Sequence, residues 1–109
     1  MSKTPIVRLA KFDVSQKIIE SLSGVCGRAV LFSIRDGSKD ASQIASELEI
    51  PLSTVYRTLS KLEDLALVEV DRFVISDDGK KIKQYKSRIS KVEINMDGID
   101  LILRLYPNT

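Results

Sequence analysis

The sequence has no histidine and no tryptophan, and its one cysteine is Cys26. Each absence removes a class of chemistry. Without imidazole there is no Ser-His-Asp triad and no histidine zinc site. A lone cysteine closes no disulfide within the chain and builds no cysteine-cluster metal site. Flanked by Val25 and Gly27, Cys26 reads as a small buried filler; a redox role would need exposure and a cationic neighbour. The carboxylates are scattered, and no glycine-rich phosphate loop follows a strand, so neither catalysis nor a cofactor is expected. No apolar run approaches the roughly 20 residues that cross a bilayer. Met1-Ser2-Lys3-Thr4-Pro5 lacks the apolar core and cleavage site of a secretion signal, so the expectation is a cytoplasmic protein without membrane association.

What is present suits an ordinary globular protein: 43% of the residues are hydrophobic and 29% charged. With aromatics at only 6%, Leu, Ile and Val must build the core. A length of 109 residues predicts one domain, since a second core would leave both halves marginal. The net charge of +2 is uninformative, but its distribution is not. Between residues 76 and 91, Lys80, Lys81, Lys83, Lys86, Arg88 and Lys91 face only Asp77 and Asp78. The following stretch reverses sign, with Glu93, Asp97 and Asp100 against Arg104. A local basic stripe suits a surface that tracks phosphates, and it equally suits a strand whose outer lysines deter edge pairing.

The hydrophobic period divides the chain. Residues 6–9 are extended or helical. Asp13 is a candidate N-cap for a helix through about Leu22, with Val14, Ile18, Ile19 and Leu22 at helical spacing and Ser23-Gly24 as the stop. A second helix spans about 27–35 and buries Val30, Leu31 and Ile34 before Asp36-Gly37. Asp40 or Ala41 opens a short helix with Ile44, Ala45 and Leu48 on one face. Residues 49–52 form a turn around Pro51, and Ser53 caps or begins the next helix, which extends to Ala66. There Val55, Leu59, Leu62 and Ala66 form a narrow buried stripe. Beyond Leu65 the period becomes two. Residues 67–75 and 81–88 read as strands joined by the turn Ser76-Asp77-Asp78-Gly79. A second hairpin, residues 90–105, pairs Val92, Ile94 and Met96 with Ile99, Leu101, Leu103 and Leu105 across Asp97-Gly98. The fold class is therefore α+β: helices, then two hairpins.

The central stretch carries the functional signal. Ala45 is small where two helices approach, Leu48 and Ile50 fill the wedge between them, and Val55 and Leu59 seat the second helix. The need is an angled helix pair whose second member projects a polar face. At about 100° per residue, Ser53, Arg57, Ser60, Lys61 and Asp64 lie opposite the apolar stripe, with Thr54 beside them at the helix start. Hydroxyls and Arg there can reach phosphates and base edges. An ordinary amphipathic helix has the same period.

The run Ser53-Thr54-Val55-Tyr56-Arg57-Thr58-Leu59-Ser60-Lys61-Leu62-Glu63, followed by Leu67-Val68-Glu69, resembles the recognition helix and wing entry of winged helix-turn-helix regulators, of the arsenic-repressor-like and related archaeal types. The resemblance covers residues 13–88 and is most specific over 42–70. Residues 22–28 are similar to the family's bend between its first two helices, and 90–105 to the ending of some archaeal members. It implies a core of 13–88 with a C-terminal hairpin at 90–105, and a sequence-specific regulator binding double-stranded DNA as a homodimer. Ser53, Thr54, Arg57, Ser60 and Lys61 would face DNA from the reading helix, and Arg72, Lys80, Lys81 and Lys83 from the wing. Residues 1–22 and the tail face of Ile99, Leu101, Leu103 and Leu105 are the candidate dimer surfaces. Two departures stand out. Ala66 replaces the family's usual glycine before the wing-entry Leu67, and the Cys and His ligands of metal-sensing members are absent. The competing reading is a winged-helix protein-interaction module in a larger assembly.

Overall fold

A computed structural model describes residues 6–109, with side chains from Val14 onward. Four helices precede two hairpins: α1 (Ile6–Ser23), α2 (Val25–Ser33), α3 (Ala41–Leu48), α4 (Leu52–Asp64), β1 (Val68–Ile75), β2 (Lys81–Ser87), β3 (Ile89–Asp97) and β4 (Asp100–Pro107). The expected reading of residues 1–5 lies outside the described residues.

Helix α1 starts earlier than the Asp13 signal suggests, and Asp13 lies inside it. Ile18 and Leu22 reach the core while Val14 stays 61% exposed. The α1–α2 bend is tight. The Arg28 guanidinium donates to the Leu22 and Ser23 carbonyls, at 2.9 and 2.8 Å, satisfying the last turn of α1. Gly27 is buried so close to α1 that a Cβ there would fall 1.9 Å from the Ser21 carbonyl oxygen.

Helix α3 opens on a capping box. The Asp40 carboxylate accepts from Gln43 N, and the Gln43 side chain accepts from Asp40 N, each at 2.8 Å. It ends at Glu49, in the left-handed region at φ 56°. Pro51, extended at ψ 142°, occupies the N-cap position of α4, so Ser53 is a helical residue and not the cap. Val55, Leu59 and Leu62 are at most 1% exposed, as the period requires.

The fourth member of that stripe departs. Ala66 is exposed, outside the helix and at φ 60°. Leu67 N donates to Leu62 O and Ala66 N to Glu63 O, both at 2.9 Å, which is a Schellman motif. Its hydrophobic closure is Leu62 against Leu67, both buried. The left-handed position normally taken by glycine is held here by alanine, the residue that replaces the family's usual Gly.

Strands β1 and β2 form the first hairpin, and Lys39 adds a one-residue bridge to the other edge of β2 through two backbone bonds with Tyr85. One core gathers the apolar faces of all four helices with Leu67, Val68, Tyr85 and Ile89. Val92 and Leu103, at the root of the second hairpin, pack against it. That root is clamped: the Asn108 amide donates to Arg35 O and Ser87 O, at 2.8 and 3.0 Å. In the second hairpin Asp97 pairs with Asp100, so the turn is Gly98-Ile99 rather than Asp97-Gly98. Gly98 at φ 66° takes the first turn position, and Ile99 belongs to the turn, not to the strand.

Candidate nucleic-acid interface

The helix pair α3–α4 presents the face that its spacing demands. Ser53, Arg57, Ser60, Lys61 and Asp64 are all exposed, and Thr54 is half-buried. Ser53, Arg57 and Ser60 share the crest of α4. Lys61 is turned toward α1 and α2, lining a cleft with Lys17, Glu20, Ser21 and Gly24. On that same side Thr58 is half-buried, with Cys26 Sγ 3.6 Å from its hydroxyl. Cys26 thus packs where α2 meets α4, half-buried there and not fully enclosed as the filler reading expects.

The flank of α4 nearer the wing borders a groove. Its walls are Asp40, Ala41 and Ser42 at the start of α3, Tyr56 of α4, and Lys80, Lys81, Ile82, Lys83 and Tyr85 of the wing. Tyr56 is 53% exposed. Between Val55 of the buried stripe and Arg57 of the crest, it lies on neither face that the helical period picks out; only its position opposite the wing lysines singles it out.

The wing cations divide between two faces. The register pairs Val70 with Tyr85 and then Arg72 with Gln84, leaving Asp71 as a bulge. Ser38 Oγ donates to the extra residue's carboxylate. Beyond the bulge, Phe73 pairs with Lys83 and Ile75 with Lys81, so these four continue the face of Tyr85. Lys81 Nζ stands 5.0 Å from the Phe73 ring centre, a cation–π contact on that face. Arg72 occupies the other face, where its Nε donates to Gln84 Oε1 at 3.1 Å. Lys80 belongs to the turn, loosely paired with Asp78 at 3.9 Å. The structure therefore brings Lys80, Lys81 and Lys83 together with Tyr56 beside α4, and sets Arg72 apart from them.

Two ionisable groups near this region are shifted. Burial pushes the Tyr85 phenol up, with smaller contributions from Glu63 and Tyr56. Asp78 is held below the usual carboxylate range, chiefly because the Ser76 hydroxyl donates to it. Burial thus keeps Tyr85 neutral in the core, and the Ser76 hydrogen bond keeps Asp78 charged at the tip. Among the described residues no cluster of metal-ligating side chains occurs, and no helix is long and apolar enough to cross a membrane.

A helix pair with an exposed second helix, a one-residue bridge and a basic hairpin beside it defines the winged helix-turn-helix fold. Two solved structures share it: NolR from Sinorhizobium fredii, with 16% identity and a TM-score of 0.67 over 80% of this chain and 81% of that one, and the homodimeric winged helix-turn-helix DNA-binding domain Mb0332 from Mycobacterium bovis, described as a possible ArsR-family regulator, with 20% identity and a TM-score of 0.61 over 80% and 75%. A family model described as a helix-turn-helix domain matches residues 29–71. An HTH-type transcriptional regulator of Methanocaldococcus jannaschii is 33% identical over 92 residues, covering 84% of this chain and 92% of the relative. The chain belongs to this family of helix-turn-helix transcriptional regulators.

Proposed function

We propose that this protein is a homodimeric, cytoplasmic regulator of transcription that binds double-stranded DNA sequence-specifically, and that its role is binding rather than catalysis. The observation that carries this reading is the polar crest of α4, with Ser53, Arg57 and Ser60 exposed beside a groove whose far wall is basic. In this reading residues 1–109 act as one domain, and α4 enters the major groove. Arg57 reads base edges; Ser53 and Thr54 near the helix start, and Ser60 two turns on, reach base edges or phosphates. Lys80, Lys81 and Lys83 engage the flanking backbone, while Lys61 and Arg72 contribute charge from the margins. A single reading helix covers few base pairs, so two copies on paired half-sites fit the geometry.

The test is an anisotropy titration of wild type and variants against a selected site and a random duplex, at several salt concentrations. Arg57→Ala is expected to cost about 1–3 kcal/mol on the selected site and to blur discrimination. Lys81→Ala with Lys83→Ala is expected to weaken both duplexes alike and flatten the salt slope by about 0.9 per lost phosphate contact. Unchanged binding in both folded variants would overturn this docking; absence of salt-dependent DNA binding by the wild type would favour a protein-interaction module.

A further inference from the structure

The β3–β4 hairpin has two unlike faces. The register groups Lys91, Glu93, Asn95, Ile102, Arg104 and Tyr106 on one side. There Tyr106 donates to Glu93 at 2.7 Å, Lys91 pairs with Glu93 at 3.4 Å, and Lys91 Nζ lies 5.2 Å from the Tyr106 ring centre. That network also holds the Glu93 carboxyl below its usual range. The other side is made of Val92, Ile94, Met96, Leu101, Leu103 and Leu105, with no charge among them. Val92 and Leu103 of this apolar face pack against the core, and Leu101 is half-buried. Ile94 is 47%, Met96 72% and Leu105 37% exposed.

A two-stranded hairpin is marginal in water unless its apolar face is covered, and β3–β4 joins no other strand. We propose that a second copy of this chain covers it: two protomers join face to face through Ile94, Met96, Leu101 and Leu105, about a two-fold axis. This inference names the dimer surface and rests on the homodimer reading above.

Three observations select a second copy as the occupant. An uncharged, uniformly apolar face is complementary to itself, as an isologous interface requires. Met96 is mostly open, Ile94 about half, Leu105 about a third and Leu101 less, so the open parts amount to on the order of 300 Å² per copy. Interfaces are about 60% apolar, so roughly 600 Å² from two copies implies about 1,000 Å² in total, at the lower limit for a specific assembly. Finally, β4 lies against α1, whereas α4 packs on α2, α3 and β1. A partner on the hairpin therefore leaves Ser53, Arg57 and Ser60 uncovered on both protomers.

The test is sedimentation of the full chain without DNA, from about 1 to 100 μM, so its outcome is independent of DNA binding. The wild type is expected to be dimeric through the upper part of that range. Met96→Asp should raise the dissociation constant at least about tenfold, since a charge would be desolvated against its own copy. Ile94→Thr, which retains a β-branched strand residue, should weaken the dimer if the charged variant fails to fold. Ile102→Asp on the opposite face should leave the dimer intact. A monomeric wild type at 100 μM, or folded Met96→Asp and Ile94→Thr variants that dimerise as tightly as wild type, would overturn the proposal.

Discussion

Replacing Ala66 with glycine should stabilise this protein, the opposite of what glycine does inside a helix. Ala66 adopts φ 60° at the residue after the α4 cap, where the Schellman bonds from Ala66 and Leu67 fix the backbone. An L-residue with a Cβ pays about 1–2 kcal/mol for that conformation. Glycine escapes the penalty but loses about 0.5–1 kcal/mol more backbone entropy on folding. The site is exposed, so no packing is lost. The net expectation is a gain of about 0.5–1 kcal/mol, or a rise in melting temperature of about 2–6 °C for a chain of this size. Urea unfolding followed by far-ultraviolet circular dichroism measures it, with an unchanged slope showing that the same surface unfolds. Ala45→Gly, inside α3, supplies the opposite sign, a loss of about 1 kcal/mol from propensity alone. A destabilised Ala66→Gly protein would refute the strain argument.

Gly27→Ala places a methyl against the Ser21 carbonyl, where helix propensity favours alanine but backbone cannot yield cheaply, so a net loss of about 1–3 kcal/mol is expected by the same denaturation measurement. Leu59→Ala should cost about 2–5 kcal/mol by hollowing the seat of α4, and exposed Ser60→Ala less than about 0.5 kcal/mol; equal losses would mean that the helix phase is wrong. Because the Tyr85 pKa is raised above its ordinary 10.0, the unfolded chain loses that proton first. The corresponding stability is full below pH 10 and declines as pH rises through the folded value, and Tyr85→Phe should remove that decline in alkaline unfolding curves.

The α3–α4 pair was legible because burial there follows period alone: Ile44, Val55, Leu59 and Leu62 are the positions that spacing selects. The same spacing overran at Ala66, since a stripe at i+11 looks identical whether the chain is still helical or has just turned left-handed. Asp13 misled in the same way, because an acidic residue before an apolar repeat resembles a cap even where earlier residues already form helix. The tail faces were legible although the turn was misplaced by one residue, because Leu101, Leu103 and Leu105 share a parity that the shift does not alter. Among the DNA-facing candidates, period separated the crest of α4 from its seat but could not show which flank meets the wing, so Tyr56 was missed. Arg72 could not be assigned from strand alternation, since the bulge that sets its face leaves no compositional trace.

The Asp71 bulge also decides what the wing can survive in evolution. Val68 and Val70 alternate in step with the core, and Phe73 and Ile75 resume that face only because one extra residue intervenes. Loss of the Asp71 codon would restore unbroken alternation, leaving every outer side chain on its present face and costing only the kink and the Ser38 anchor. Loss of any single codon between Phe73 and Ile75 would instead exchange faces for whatever lies beyond it. The wing therefore has one position where its reading frame of inside and outside is forgiving, and length variation fixed there can be inherited without disturbing the core.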